Sequence, residues 1–275
     1  MKYIDCEKYA QEILDEVRQV EHTKYFAIIS VGDNPASQSY IKGKIKDCEY
    51  CGIPYVHKNI DIKNERAAIY ELRDVLLDLK YDDNVSAIIL QLPLPQGWDE
   101  QTYLNLIPPE KDVDGLTKDS KFSPCTPEGI VHVLKKELGD LEGKTALIIG
   151  RGKLVGRPLV DLLLNENCTV TIAHSKTKNL LSMLMLDGYD IVVVATGHPK
   201  LVNLQLLSNN TKIVIDAGVN KVDGKLCGDC YKYDAELFDV SVTPVPKGIG
   251  LMTRAMLMKH IAEINKTDFK RLVQL

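Results

Sequence analysis

The stretch KTALIIGRGKLVGRP, residues 144–158, decides the fold. A short apolar run over Thr145–Ile149 breaks at Gly150 into a glycine-rich turn. A segment whose apolar spacing predicts a helix over Leu154–Leu164 follows, and then a second strand-like run, Thr169–Ala173. Strand, glycine turn, helix and strand in that order form a unit of a parallel α/β sheet. Gly150, Gly152 and Gly156 are spaced G-x-G-x-x-x-G, one residue longer than the usual dinucleotide fingerprint. Glycines in such a turn let backbone N–H groups and a helix N-terminus approach a pyrophosphate that side chains would obstruct.

The same pattern extends in both directions. YDIVVVATGHP (189–199) and TKIVIDAGVN (211–220) predict two further strands, each ending in a glycine turn. Upstream, KYFAIISVG (24–32), Tyr55–Ile60 and VSAIILQLPLP (85–95) read as strands, with helices over Asp5–Val20, 37–51 and Asn64–Lys80 between and before them. Apolar strands that do not alternate, separated by amphipathic helices, indicate a parallel sheet covered on both faces. A helix from the PCTPEG segment (124–129) to Leu138 links the halves, with Thr126 or a neighbour as its cap, and Met252–Asn265 forms a last helix. The reading is α/β, with two domains: an N-terminal three-layer α/β domain and a Rossmann-type domain.

Composition fits this. The chain has 275 residues, a formal net charge of −4 and 45% apolar residues. The acidic balance argues against a nucleic-acid partner. The apolar run Val85–Leu94 is too short to span a membrane, and the charged N-terminus does not read as a signal peptide, so a cytoplasmic location is expected. Seven cysteines, an odd number, suit a reducing compartment. Cys48/Cys51 and Cys227/Cys230 have C-x-x-C spacing, but Cys48 lies on an apolar helix stripe, so these read as thiols and no metal is expected.

Chemistry concentrates in SQSYIKGKIKDCEYC (37–51). At helical spacing Ser37, Tyr40, Ile41, Lys44 and Cys48 share a side, with Ile41, Ile45 and Cys48 as the apolar stripe. A lysine at the border of a core is partly desolvated, which favours its neutral form and suits it to proton transfer near neutral pH. Gln91 ends a strand, and ligand crevices of parallel sheets lie beyond the strands' carboxyl ends, so Gln91 and Lys44 can converge. KDVDGLT (111–117) places Asp112 and Asp114 in a turn that Gly115 can close. Either aspartate could cap the turn or accept two adjacent N–H groups of a ligand. In the second half, the strand Thr169–Ala173 is followed by His174, Ser175 and Lys176 with no carboxylate, and Arg151 stands in the glycine turn. This pocket favours a 2′-phosphate, hence NADP, with NAD as the alternative.

Taken in order, VGDNPASQSYIKGKIK, QLPLP, KDVDG, PCTPEG, HSKT and TPVPKGIGLMT make the chain resemble the methylenetetrahydrofolate dehydrogenase/methenyltetrahydrofolate cyclohydrolase family over nearly its whole length. The resemblance implies a folate cleft between the two domains and a homodimer. It assigns folate binding and catalysis to residues 1–124 with 252–275, and NADP binding to 125–251. Lys44 then corresponds to the catalytic lysine, Tyr40 to the aromatic that positions the folate ring, Gln91 to the glutamine supporting the lysine, and Asp114 to the carboxylate holding the pterin edge. Gly150, Arg151, Gly152, Ser175 and Val219 match cofactor contacts. The implied activity is oxidation of 5,10-methylenetetrahydrofolate followed by hydrolysis to 10-formyltetrahydrofolate. Alternatives are a dehydrogenase with weak or absent cyclohydrolase activity, a shikimate-type dehydrogenase, or a binding protein without turnover. The chain departs from the family pattern at Gly152, where serine is common, and at Lys247 and Leu251, where glycine and proline are usual. Gly43, in the middle of the key helix, costs ~1 kcal/mol relative to alanine.

Overall fold

The computed structural model describes residues 1–231 and 239–273. In chain order the first half comprises β1 (Lys2–Tyr3), α1 (Cys6–Val17), β2 (Tyr25–Val31), α2 (Pro35–Cys51), β3 (Tyr55–Ile60), α3 (Glu65–Tyr81), β4 (Val85–Leu90) and α4 (Glu100–Leu104). There follow α5 (Cys125–Leu138), β5 (Thr145–Ile149), α6 (Gly156–Asn165), β6 (Thr169–Ala173), α7 (Leu180–Leu186) and β7 (Ile191–Val194). The chain continues through β8 (Val202–Asn203), β9 (Ile213–Asp216), β10 (Asn220–Val222), β11 (Lys225–Cys227), β12 (Cys230–Tyr231), β13 (Ser241–Val242) and α8 (Ile249–Val273). Packing divides it into two units: Gln11–Cys125 with Arg254–Leu275, and Met1–Ala10 with Thr126–Thr253.

The first unit is built on a parallel sheet ordered β3-β2-β4. Parallel neighbours need crossover connections, which α2 and α3 supply. One face of β2, through Ala27, Ile29 and Val31, packs into a cluster with Ala68, Leu72 and Leu76 of α3. Phe26 and Ile28 on the other face are also fully buried, so the sheet is covered on both sides as its unalternating sequence predicts. Helix α2 starts where the Asn34 side chain accepts hydrogen bonds from the N–H groups of Ala36 (2.9 Å) and Ser37 (3.2 Å). It stops at Gly52, whose φ of +71° closes the C-terminus.

The second unit carries a six-stranded parallel sheet ordered β1-β13-β9-β7-β5-β6. Its outermost strand, β1, pairs Lys2 with Ser241 and Tyr3 with Val242. That pairing draws residues 1–10 into this packing unit, whereas the sequence reading assigns 1–124 to the catalytic domain. Residues 252 and 253 likewise belong here, and the last two residues of the expected 252–275 segment lie outside the described residues. Helix α1 ends at Val17 rather than Val20, and α8 begins at Ile249, three residues before the expected start. Thr126 lies one residue inside α5, and its Oγ1 lies 2.9 Å from Thr253 Oγ1.

Helix α6 begins at Gly156, not Leu154, because the turn before it is tightly folded. A Cβ on Gly156 would lie 2.1 Å from the Gly150 carbonyl oxygen. One on Gly150, whose φ is +123°, would lie 2.1 Å from the Ala195 carbonyl oxygen at the end of β7. The glycines therefore let the turn sit between the strand end and the helix, with backbone touching backbone. Gly152 differs, since a Cβ there would meet nothing within 4 Å. Gly156→Ala should lower the unfolding free energy by more than about 1 kcal/mol, and Gly152→Ala should change it by less than about 0.5 kcal/mol. Urea denaturation of the two variants beside the parent checks the contrast.

Candidate active site

Lys44 sits on the inward side of α2, with Ser37, Ile41, Asp47, Cys48 and Cys51 also buried along the helix. Ile45, expected in the stripe, is only half-buried, and Asp47 takes an inward place. The Lys44 side chain is 6% exposed, and its Nζ donates to Gln91 Oε1 at 2.9 Å. Gln91 is fixed twice over. Its backbone N–H donates to the Ile29 carbonyl at 2.8 Å, and its Nε2 donates to the Leu92 carbonyl at 2.8 Å. The amide oxygen is thereby aimed at the lysine by the end of β4, across a sequence separation of 47 residues. Burial pushes the Lys44 ammonium toward its neutral form, and the nearby Asp114 carboxylate opposes that push.

The two aspartates of the KDVDG turn have different partners. Asp112 accepts from the N–H groups of Gly115 (3.1 Å) and Thr117 (2.8 Å), so it is the carboxylate that closes the turn. Asp114 is left to face Lys44 and Cys125, and burial raises its pKa against the pull of the lysine. Gly115, at φ +71°, lets this turn fold onto Ser123, whose carbonyl carbon and oxygen would each lie 2.5 Å from a Cβ. Cys125 Sγ donates to the Val113 carbonyl at 3.3 Å, and His260 Nδ1 lies 2.8 Å from the same oxygen. His260 also stacks on Phe122, with ring centroids 4.3 Å apart. Cys125 and His260 thus brace the Asp114 turn. The PCTPEG segment marks Cys125, but His260 lies 147 positions beyond Val113 and has no local signal.

Tyr40 is half-buried one turn before Lys44, and burial raises its phenol pKa. Ser37, a turn earlier on the same side, is buried, and its hydroxyl has no hydrogen-bond partner among the described residues. A desolvated hydroxyl is costly unless a ligand or water meets it. Gly43 is explained by α8: a Cβ there would lie 2.0 Å from Nη1 of Arg254. Arg254 Nε donates to Asp47 Oδ2 at 2.8 Å and Nη2 donates to Asp47 Oδ1 at 3.3 Å.

In the other unit, the residues expected at a cofactor stand along one edge of the six-stranded sheet. Ile149 pairs with Ala173 and Val194, and Val194 with Asp216, so the loops bearing Gly150–Gly152, Ser175 and Val219 leave the sheet at neighbouring strand ends. Arg151, Gly152, Ser175 and Lys176 are exposed there. The His174–Thr177 turn is held by His174 N–H donating to Thr177 Oγ1 (2.9 Å) and Lys176 N–H donating to His174 Nδ1 (3.1 Å). Val219 is 49% exposed. Two buried carboxylates, unforeseen from sequence, fasten its loop. Asp216 accepts from the N–H groups of Gly218 (3.0 Å), Asp229 (3.0 Å) and Cys230 (2.9 Å). Asp229 accepts from Thr196 N–H (2.6 Å), Gly197 N–H (2.9 Å) and Asn220 Nδ2 (2.8 Å). The open backbone at Gly152, the start of α6 and the basic and hydroxyl groups beside them fit a phosphate-bearing dinucleotide.

Cys48 Sγ donates to Met258 Sδ at 3.8 Å and Cys51 Sγ to the Leu14 carbonyl at 3.6 Å. Burial pushes the Cys51 thiol up to about 12. Among the described residues no three His, Cys, Asp or Glu side chains gather as ligands.

Comparison with known proteins gives the same division of labour. The model of the tetrahydrofolate dehydrogenase/cyclohydrolase catalytic domain matches residues 4–114, and that of the family's NAD(P)-binding domain matches residues 124–269. The bifunctional protein FolD of Oceanobacillus iheyensis is 42% identical over 263 residues, covering 92% of this chain and 90% of the relative. The bifunctional FolD enzyme, a methylenetetrahydrofolate dehydrogenase/cyclohydrolase, from Campylobacter jejuni has a structure similar to this one. Its TM-score is 0.87 at 35% identity, covering 98% of this chain and 99% of that one. The Trypanosoma brucei methylenetetrahydrofolate dehydrogenase-cyclohydrolase, solved with NADP and an inhibitor, gives 0.84 at 28% identity over 97% and 98% of the two chains. With both domain models matched and a buried lysine, glutamine and aspartate converging within the catalytic one, the chain belongs to the tetrahydrofolate dehydrogenase/cyclohydrolase family.

Proposed function

We propose that the chain oxidises 5,10-methylenetetrahydrofolate with NADP and hydrolyses the methenyl product to 10-formyltetrahydrofolate, with Lys44 handling the proton. The observation that carries this reading is the buried Lys44 amine held at 2.9 Å on Gln91. When bound, NADP would supply the acceptor for a hydride from the one-carbon bridge, and the chain's part in that step would be positioning rather than proton transfer. Arg151 and Ser175 would hold the cofactor's phosphate side, the backbone of Gly150 and Gly152 would leave room for its pyrophosphate, and Val219 would line its nicotinamide end.

Hydrolysis needs more from the side chains. Water adding to the methenyl carbon must lose a proton, and a neutral Lys44 accepts it. The ammonium so formed returns a proton to the ring nitrogen as its bond to the one-carbon unit breaks; the adduct's hydroxyl gives up its remaining proton to solvent as the C=O forms, leaving the formyl group on the other nitrogen. Gln91 accepts a hydrogen bond without adding a charge, so it orients the amine in either protonation state. Asp114 receives two adjacent N–H groups of the pterin edge, and Tyr40 stacks on the folate. The family resemblance supports reading the enzyme as a cytoplasmic homodimer. All seven cysteines are free thiols, and no helix among the described residues is long and apolar enough to cross a membrane. Dimerisation follows the family resemblance and is read directly by analytical ultracentrifugation.

Lys44→Met should reduce hydrolysis of methenyltetrahydrofolate by roughly 10²–10⁴-fold, toward the spontaneous rate. In the parent the enzymatic rate should fall as pH drops, because protonated Lys44 has no lone pair to offer. A variant hydrolysing at parental rates removes Lys44 from the mechanism.

Asp114→Ala should weaken folate binding by tenfold or more, on the scale of a lost charge-assisted hydrogen bond of ~1.5–3 kcal/mol. NADP affinity should stay within about twofold, since the cofactor contacts belong to the other unit. Isothermal titration of each ligand separates loss of a folate contact from loss of the fold.

Arg151→Ala should raise KM for NADP by about tenfold and leave KM for NAD nearly unchanged, because only NADP carries the 2′-phosphate. Steady-state kinetics with both cofactors decides it. A variant that still strongly prefers NADP places the phosphate elsewhere.

A further inference from the structure

Gly43 and Arg254 account for each other, and both bear on Lys44. Gly43 directly precedes the lysine, and Asp47 follows it by one helical turn. The Arg254 guanidinium lies across this turn, with Nε and Nη2 on the Asp47 carboxylate and Nη1 in the space that a Cβ of residue 43 would fill. The pair is well shielded, with the Arg254 side chain 22% exposed and that of Asp47 7% exposed. A fork held at two points cannot swing away as a surface arginine does, so its charge has a fixed position.

We propose that Arg254, clamped on Asp47 over Gly43, is a positioning residue that fixes a positive charge beside Lys44 and so disfavours its ammonium form, its own field tempered by Asp47. The proposal rests on the reading of Lys44 as the hydrolytic base. The charged and titratable groups facing Lys44 come from several elements: Asp114 from the turn before α5, Cys125 from α5, Cys48 from α2 and Arg254 from α8. Gln91, at the end of β4, is neutral. Cys48 is buried as a thiol and carries no charge, and Cys125 donates as a thiol to the Val113 carbonyl. Burial is the largest influence and disfavours the ammonium, Asp114 opposes it, and Arg254 adds a smaller push in the direction of burial. The same guanidinium opposes the effect of burial on Tyr40, so its field reaches both site residues of α2.

Removing the guanidinium should make Lys44 easier to protonate. Leaving the guanidinium but neutralising Asp47 should make it harder, because the remaining cation is then uncompensated. The two substitutions therefore move the pH dependence in opposite directions, which a packing role cannot do. The experiment measures enzymatic hydrolysis of methenyltetrahydrofolate, corrected for the spontaneous reaction, from pH 5.5 to 8.5. It uses full-length parent, Lys44→Met, Arg254→Met, Arg254→Lys, Asp47→Asn and Gly43→Ala.

For Arg254→Met the acid limb should move to higher pH, with the rate at pH 6.5 falling threefold or more (about half a unit at tenfold per unit) and recovering toward pH 8.5. Asp47→Asn should move it to lower pH, and Arg254→Lys should stay near the parent. Gly43→Ala, whose methyl group displaces the guanidinium, should shift the same way as Arg254→Met and serves if that variant fails to fold. Losses of equal size at every pH in Arg254→Met and Asp47→Asn, or unmoved limbs, overturn the proposal. Lys44→Met separates the two levels. If it is inactive while the other limbs stay put, only the role of Arg254 fails; if it hydrolyses at parental rates, the reading of Lys44 fails first.

Discussion

An amine removed from water is the constraint on which the catalytic unit depends. An isolated ammonium is expensive to bury, so a chain that buries a lysine must either pair it fully or let it lose its proton. Here the oriented partner, Gln91, is neutral, and the carboxylate of Asp114, which favours the ammonium, is itself resisted by burial. Much of the unit serves that balance. Gln91 needs β2 beside it, α2 needs Asn34 and Gly52 at its ends, and Asp114 needs Cys125 and His260 behind its turn.

The aspartates show how one residue type is divided between structure and chemistry. Asp112, Asp216 and Asp229 each accept two or more backbone N–H groups, and each fastens a loop at the carboxyl end of parallel strands. Glycine stands where these carboxylates pack most tightly. A Cβ on Gly218 would lie 2.1 Å from Asp229 Oδ1, and one on Gly228 would lie 1.9 Å from Asp216 Oδ2. A carboxylate whose oxygens are already occupied by the backbone has little capacity left for a ligand. Asp114 lacks such a set of backbone donors among the bonds described, and it is the one that faces the lysine.

What the sequence makes legible follows from the range of the interactions. The parallel α/β plan is readable because strand, glycine turn and helix are local patterns, repeated through both units. The Lys44 face of α2 is readable for the same reason, and Gln91 because a strand end predicts where its side chain is delivered. The role of Asp47 is not readable: its partner Arg254 lies 207 positions away on another helix, and an aspartate at that helical position looks like an ordinary surface residue. His260 is hidden similarly. The packing of the first ten residues with the other unit is not readable, because a two-residue strand, β1, is too short to carry a pattern of its own. Its place is set by β13, at the far end of the chain.

Two departures from ordinary glycine usage make opposite arguments. Lys247 adopts φ +72°, a conformation that costs a non-glycine residue about 1–2 kcal/mol. Its ammonium reaches both carboxylate oxygens of Glu7 at 3.1 Å, but both side chains are exposed, and such pairs contribute about 0–1 kcal/mol. The ion pair therefore offsets the strain only in part, and the sheet and helix on either side hold the loop in place. Gly43 is the reverse case, a flexible residue in a helix that would be firmer with alanine. Nothing in α2 itself asks for it. The demand comes from α8, whose arginine occupies the missing side chain's volume and returns order to the helix through Asp47. The stiffness lost by the backbone is thus resupplied by a charged clamp, and it is resupplied on the turn that carries Lys44.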